Sequence, residues 1–584
     1  MKIFLRFLRE YPRESILAPL FKLLEACFDL CVPLVIAAII DRGIAATNPN
    51  GTTGDKPFII YMTLVLVGLA IVGLVCALSA QYFAAKSAVG TAARLRRDLF
   101  AHMQSFTYAQ TDRVGASTMI TRMTSDINQL QSGMNMSMRL MLRSPIIVFG
   151  AAIMALTIDR SSAQIFLLAI PVLALVVFGI MLGGIPLYRK VQNRLDKVTG
   201  TTRENLAGVR VIRAFCKEDE EIAKFEAVNR EQTSLQNKAG LLTALMNPVT
   251  YVLINLAVVW LIREGAIAVD TSRITQGEVI ALVNYMGQIL VELIKLASTV
   301  FLVTKAVACG NRVGDVLAMP AGTEVIPDGV GRPVATDTPA VAFDHVTMTY
   351  EGGGAPSLSD ITFTVPRGTT VGIIGGTGSG KSTLCHLIPR FYDATEGCVY
   401  VNGRDVRSYD PADLRARIGV VPQKAELFKG TVRSNLLWGD ADATDEAMWE
   451  ALTLAQAADF VREKVGGLDA PVEPRGRNFS GGQRQRLTIA RALVGRPDIL
   501  ILDDSSSALD FATDARLRSA LRRLPHKPTT FIISQRTSSI RHADLIIVLD
   551  EGHAVGMGTH DTLLATCDTY REIHESQFKG GERA

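Results

Sequence analysis

The sequence predicts a membrane α-helical bundle of six spans with long polar extensions, followed by an α/β domain. Three observations predict it. The first half contains stretches of more than about 20 residues without a charge, long enough to cross a hydrocarbon layer. The second half alternates short β-like apolar runs with helical patterns. Between them lies "GTEVIPDGVGRPVATDTPA", Gly322 to Ala340, which is Gly/Pro-rich and aperiodic, as linkers are. A chain of 584 residues is too long for one compact domain. Its mean hydropathy of +0.23 fits a membrane half joined to a water-exposed half.

The N-terminal "MKIFLRFLREYPRES" alternates basic and apolar residues and lacks a cleavable signal pattern. It is expected to lie on the membrane surface as an amphipathic helix, or simply to start the first span. Three uncharged stretches, Pro57 to Ala85, Ser161 to Tyr188 and Ala239 to Ile262, are spans by length. Ser144 to Ile158 is shorter and needs its flanks. Two more spans are interrupted by charge: Ser15 to Ile40 by Lys22, Glu25 and Asp29, and Val279 to Val303 by Glu292 and Lys295. Packed core helices are the alternative reading, and the lengths weigh against it.

The connections alternate. Asp41 to Lys56, Asp159 with Arg160, and Arg263 to Glu278 are short, whereas Lys86 to Arg143 and Arg189 to Lys238 are long, polar and helix-patterned. Six spans put both termini and both long connections on one side. Lys2, Arg6, Arg9 and Arg13 outnumber Arg42 and Lys56 of the first short loop, which favours that side as cytoplasmic, although basic density over all loops differs little. The expected organisation is a membrane domain over 1–310, a linker over 311–340 and an α/β domain over 341–584.

Net charge is +4, from 61 basic and 57 acidic residues, so no large basic surface for nucleic acid is expected. The eight cysteines lack metal-ligand spacing and read as reduced, buried small side chains; Cys27 and Cys31 stand one helical turn apart in the first span.

"VGIIGGTGSGKSTL", Val371 to Leu384, is an apolar strand, a glycine loop and a helix start. It fits G-x-x-x-x-G-K-[ST] at Gly375, Gly380, Lys381 and Ser382, with Gly376, Thr377, Gly378, Ser379 and Thr383 completing the loop. Glycines let backbone amides turn inward around phosphates, and the helix N-terminus adds partial positive charge. Lys381 is expected to reach the β- and γ-phosphates and Ser382 to hold Mg²⁺. Asp503, ending the buried run Ile499 to Leu502, is the second expected Mg²⁺ anchor. Downstream, Ser480, Gly481, Gly482 and Gln483 form a second glycine-rich turn at a helix start, which makes sense if it reaches a nucleotide held by another chain.

"GGTGSGKST", "FSGGQRQR" and "ILILDDSSSALD", in this order and spacing, resemble the cassette of an ATP-binding-cassette (ABC) transporter. With six spans ahead of it, the chain resembles a half-transporter of the ABC exporter type, and the likeness covers nearly the whole chain. The resemblance implies further roles. Tyr350 matches the aromatic that stacks on adenine. Gln423 matches the glutamine that touches Mg²⁺ and relays nucleotide state. Glu473 matches an acidic residue before the signature turn, and Ser507 to Asp510 match the loop crossing between paired cassettes. "ASTMITRMTSDINQL" and "ENLAGVRVIRAFCKEDEE" are similar to segments whose tips dock on the cassettes; alone, each reads as a polar amphipathic helix. Cytoplasmic ATP then puts the cassette and N-terminus inside the cell membrane.

Two positions depart from the family pattern. The residue after Asp503 is usually a glutamate that polarises the attacking water; here it is Asp504, whose carboxylate is withdrawn by roughly 1 Å. The histidine usually found at the γ-phosphate is Gln535, which donates a hydrogen bond but cannot become a cation. Together they suggest a degenerate site that binds ATP and hydrolyses it poorly. The intact signature turn would then serve ATP held by a partner half-transporter carrying the glutamate and histidine, as in heterodimeric bacterial exporters. A slow homodimer with a working Asp504 is the rival.

Lys22, Glu25 and Asp29 share one helical face, and Glu292 and Lys295 another. Ionisable groups in spans often mark a transport path, so Glu25, Asp29, Glu292 and Lys295 are expected to face a substrate cavity. Helix-tying ion pairs are the alternative. The expected activity is ATP-driven export of small, amphipathic or hydrophobic compounds. Uptake of an iron chelate or similar solute on the same fold, and a non-transporting nucleotide-sensing gate, are the other readings.

Overall fold

The computed structural model describes residues 10–45, 54–320, 322, 338–505 and 509–578. Two compact units divide the chain: Met1–Gln104 with Ser117–Met319, and Ser105–Ala116 with Pro320–Ala584.

The first unit contains six helices long and apolar enough to cross a membrane: Pro12–Ile44, Lys56–Gln104, Ala116–Ile158, Arg160–Ala207, Glu218–Asp270 and Gln276–Leu317. Helix α1 (Pro12–Ala38) starts with proline in its first turn, where the missing N–H costs no helical bond, and widens into a π-helix at Ile39–Ile44. The uncharged second stretch becomes α2 (Lys56–Gln104), a single rod running far into the polar connection. The chain then leaves this unit for α3 (Tyr108–Val114) and returns at Ser117. The third span holds α4 (Ile127–Leu140) and α5 (Arg143–Ile158), so the short stretch starting at Ser144 gains the flanks it needed.

Asp159 ends α5 and caps α6 (Arg160–Ala207), accepting from Ser162 N at 2.8 Å. The fifth span combines α7 (Glu218–Ala244) and α8 (Met246–Asp270), and α9 (Gln276–Leu317) opens with a capping box between Thr275 and Glu278. Ala26, Leu30, Ile147, Ala151, Phe166, Leu261, Tyr285 and Ile289 form its apolar core. Side chains such as Leu64, Ile71, Leu78, Leu167, Leu175 and Val259 stay exposed, as expected where lipid rather than water is the solvent.

Three expectations need correction here. The last helix does not stop at 310: it continues through 311–317 to Leu317, because Arg312 Nη2 donates to Asp126 at 2.5 Å and Val313 and Val316 are buried. Ser105–Ala116 leaves the 1–310 domain and packs with the other unit. Cys27 and Cys31 are exposed free thiols on α1 rather than buried ones. The surface-helix reading of Met1 to Arg9, and most of the linker, fall outside the described residues.

The second unit is an α/β domain with two principal sheets. An antiparallel sheet is built from β1 (Val341–Met348), β2 (Leu358–Val365), β4 (Glu396–Val401) and β5 (Arg404–Asp405), in the order β2-β1-β4-β5. The larger sheet combines β3 (Thr370–Gly375), β6 (Ile418–Val421), β7 (Ile499–Asp503), β8 (Thr529–Ile533), β9 (Leu545–Asp550) and β10 (His553–Gly558). Its order is β10-β9-β3-β8-β7-β6, parallel except for the antiparallel edge strand β10. β7 and β8 are buried at every position; the apolar run of β7 ends in Asp503, and β8 opens on Thr529 and Thr530 before Phe531. Such sheets place ligand-binding loops beyond the carboxyl ends of their strands.

Helix α3 is held within this unit. Thr107 and Gln110 form a capping box, and Gly115 at φ 76° ends the helix. Tyr108 stacks on Phe391 at 4.3 Å, Tyr392 Oη donates to Asp112 at 2.5 Å, and Arg113 pairs with Glu351 at 3.0 Å. The docked tip is therefore Ser105–Ala116, just upstream of the segment the family likeness pointed to. The second expected tip breaks at Gly208 into a short helix, Val209–Ala214, within the membrane unit.

Candidate functional site

The glycine loop leaves the carboxyl end of β3, and α10 (Lys381–Leu387) begins at its far side. Gly380 adopts φ 95°, and a Cβ there would lie 2.5 Å from the Ser357 carbonyl oxygen, so only glycine fits. Gly376, Thr377 and Gly378 are exposed along the loop, while Ser379 is buried. Lys381 is also buried, its Nζ donating to the carbonyl oxygens of Gly375 (3.0 Å) and Gly376. Burial pulls its ammonium below the ordinary lysine value, and the carboxylates of Asp504 and Asp503 oppose that pull.

Ser382 Oγ donates to Asp503 Oδ1 at 3.2 Å, so the loop hydroxyl and the acid ending β7 converge although they are far apart in sequence. Hydroxyl and carboxylate oxygens suit a hard divalent cation such as Mg²⁺, which keeps several waters and substrate phosphates as ligands. Among the described residues no group of three or more His, Cys, Asp or Glu side chains could hold a metal. Gln423, just beyond β6, donates through Nε2 to Asp504 Oδ2 at 3.4 Å. Asp504 has φ 43°, and its N–H is bonded to Ile533 O at 3.1 Å. Burial pushes both Asp503 and Asp504 above the usual aspartate value of 3.8, with the hydrogen bonds from Ser382 and Gln423 as the leading counterweights.

Tyr350 reaches the same corner: its hydroxyl donates to Thr383 Oγ1 at 3.0 Å, and its ring meets Tyr392 edge-on at 5.1 Å. A cavity of about 630 Å³ opens beside it, lined also by Asp112, Arg113 and Tyr392. Gln535 is exposed two residues beyond β8, whose Ile533 pairs in register with Asp503. Thus Gly375 to Thr383, Tyr350, Gln423, Asp503, Asp504 and Gln535 share one end of the sheet.

The signature turn stands apart. Ser480 caps α11 (Gly481–Val494) in a reciprocal box with Gln483, at 3.3 Å and 3.0 Å, while Gly481 stays exposed. Among the described residues no hydrogen bond or ion pair joins it to the glycine loop. Glu473 is exposed nearby, its N–H bonded to Asn478 Oδ1 at 3.1 Å. Of the expected crossing loop, Ser507 and Ala508 lie outside the described residues; Asp510 caps α12 (Phe511–Arg522) through Thr513 N at 2.9 Å.

In the membrane unit the expected cavity residues come together around a residue that sequence reasoning missed. Arg143 donates to Asp29 Oδ2 at 2.7 Å and Glu292 Oε1 at 2.6 Å, and approaches Glu25 at 3.8 Å. Lys22 pairs with Glu25 at 2.6 Å, Lys295 with Glu292 at 3.0 Å, and Ser144 Oγ donates to Glu292 at 2.7 Å. The two charged faces of α1 and α9 are therefore one network closed by α5. A cavity of about 500 Å³ adjoins it, with Asp29, Arg143, Glu292 and Lys295 among its lining and Val32, Ile147 and Val291 as apolar wall; Glu25 does not line it. The signal was available: Arg143 is the charge abutting an uncharged span.

A phosphate-cradling loop with facing acids, on an α/β domain joined to six membrane helices, defines a membrane transporter powered by ATP. Comparison with known proteins agrees. The model of the ABC transporter transmembrane region matches residues 15–293, and that of the ABC transporter matches residues 358–507. An uncharacterized ABC transporter ATP-binding protein of Mycobacterium tuberculosis is 39% identical over 573 residues, covering 98% of this chain and 97% of that one. The uncharacterized ABC transporter ATP-binding protein YfiB of Bacillus subtilis is 33% identical, covering 98% of each. A solved bacterial Atm1-family ABC exporter with ATP bound superposes with a TM-score of 0.80 at 23% identity, covering 98% of this chain and 99% of that one, and so shares its fold. The chain belongs to the ABC transporter family: it is a multi-pass membrane ATPase of exporter fold with a cytoplasmic cassette.

Proposed function

We propose that this chain is one half of an ATP-driven heterodimeric exporter and that its own nucleotide site is degenerate. Tyr350 would stack on adenine, Gly375 to Thr383 cradle the phosphates, and Ser382, Asp503 and Gln423 hold Mg²⁺. The observation that carries the reading is Asp504, a short carboxylate engaged by Gln423 at 3.4 Å, in a site whose γ-phosphate position is taken by Gln535. A misplacement of about 1 Å at a reacting centre can lower the rate on the order of 100-fold. Ser480 to Gln483 would complete the active site on a partner half-transporter carrying glutamate and histidine.

The homodimer reading has one observation in its favour: a carboxylate is still present beside Asp503, within 3.4 Å of Gln423, where it can act as a base. ATPase activity of the chain alone and with a candidate partner separates the two. The degenerate reading expects near-background activity alone, activity with the partner, and survival of that activity in Asp504→Asn. Brisk activity of the lone chain, abolished by Asp504→Asn, sinks it.

The exported compound is proposed to be small and amphipathic, matched to a cavity with charged lining and apolar walls. Asp29→Ala is expected to alter substrate preference in proteoliposomes, and unchanged transport of every compound tested would remove this cavity from the path.

A further inference from the structure

The last described helix is α13 (Asp568–Phe578), which none of the motifs explains. Its Gln577 amide grips the segment following β8 at two points. Nε2 donates to the Gln535 carbonyl oxygen at 2.7 Å, while Oε1 accepts from Thr537 N at 2.9 Å and from Thr537 Oγ1 at 3.0 Å. One side chain thus bonds the C=O of one residue and the N–H of the residue two further on, the pairing that a neighbouring strand offers in a ladder. His574, one turn earlier on α13, stands 3.3 Å from Thr537 Oγ1. At its other end the gripped segment is anchored by Ser534, whose N–H is bonded to Ile373 O at 3.1 Å on β3.

We infer that Gln577 is a positioning residue for the ATP site: its amide fixes the main chain on both sides of Arg536 and so holds Gln535 toward the γ-phosphate end of the site. Gln535 itself is exposed beyond β8, and the next N–H, of Arg536, is bonded to Ser534 Oγ at 3.0 Å. A side-chain amide that satisfies both groups restricts the backbone at Arg536, the one intervening residue, so that ordering cost is met before nucleotide binds. The chain's last described helix is then part of the nucleotide-sensing apparatus, which links whatever acts on the C-terminus to the reading of the γ-phosphate.

This inference rests on the reading of Gln535 as the γ-phosphate contact, and the test separates the two. The full-length chain in nanodiscs is titrated with ATP and ADP in Mg²⁺, in competition with a fluorescent nucleotide, alongside amide hydrogen exchange. Gln577→Ala is expected to speed exchange at Thr537 by about tenfold and to lower the preference for ATP over ADP by about three- to tenfold, with ADP affinity unchanged. Gln577→Glu keeps the acceptor for Thr537 and loses the donor to Gln535, so it is expected to retain Thr537 protection and fall between in nucleotide preference. Unchanged exchange or unchanged preference in Gln577→Ala overturns the inference, as does a loss spreading to ADP and to the glycine-loop amides. Gln535→Ala run in parallel must lower the same preference; if it does not, the γ-phosphate reading fails and the inference with it.

Discussion

At Asp504 the side chain is one methylene shorter than glutamate. The carboxylate sits behind Asp503 with its N–H tied to β8 and one oxygen 3.4 Å from Gln423, so the backbone cannot slide forward to make up the missing length. Restoring that length and the missing cation is therefore expected to restore chemistry. On the degenerate-site proposal, Asp504→Glu with Gln535→His should raise phosphate release by this chain by on the order of 100-fold. Gly380 offers the opposite experiment. Its φ of 95° and the Ser357 carbonyl 2.5 Å from a would-be Cβ leave no room for alanine. Gly380→Ala should lower cassette stability by about 1–3 kcal/mol and weaken ATP binding in parallel, read from thermal unfolding and nucleotide titration.

Helices and strands show how far the linear pattern carries. Spans announced themselves because uncharged length has few other uses, and the glycine loop because its spacing is dictated by phosphate geometry. Places where the pattern failed are those decided by partners distant in sequence. Arg143 reads as the last residue of a polar connection; only folding brings Glu25, Asp29 and Glu292 to it. Helix α9 runs past 310 because Arg312 finds Asp126, 186 residues away. Helix α3 was missed despite a local signature, the Thr107–Gln110 box and Gly115, since the aromatic platform that holds it lies on the cassette.

The three-helix ion network makes a prediction at this scale. Glu292 is only 3% exposed, so Arg143→Ala leaves a buried carboxylate short of a partner and should cost about 3 kcal/mol or more. Adding Glu292→Gln should recover much of that loss. Unfolding midpoints in detergent measure both, and a double variant no better than the single one would separate the two side chains energetically.

For the molecule as a whole, the division of labour between membrane and cassette depends on how the chain threads them. It enters the cassette unit at Ser105, leaves after Ala116 and enters again at Pro320. Tyr108 on Phe391, Asp112 with Tyr392, and Arg113 with Glu351 seat the first passage. A loop stitched through a body in this way is a rivet. Severing the covalent connection need not part the pieces. With a protease site placed among residues 323–337, cleavage should leave the C-terminal fragment co-purifying with the N-terminal one, and Tyr108→Ala with Asp112→Ala should release it. The covalent connection is then not what holds the two fragments together, and its composition is free to drift.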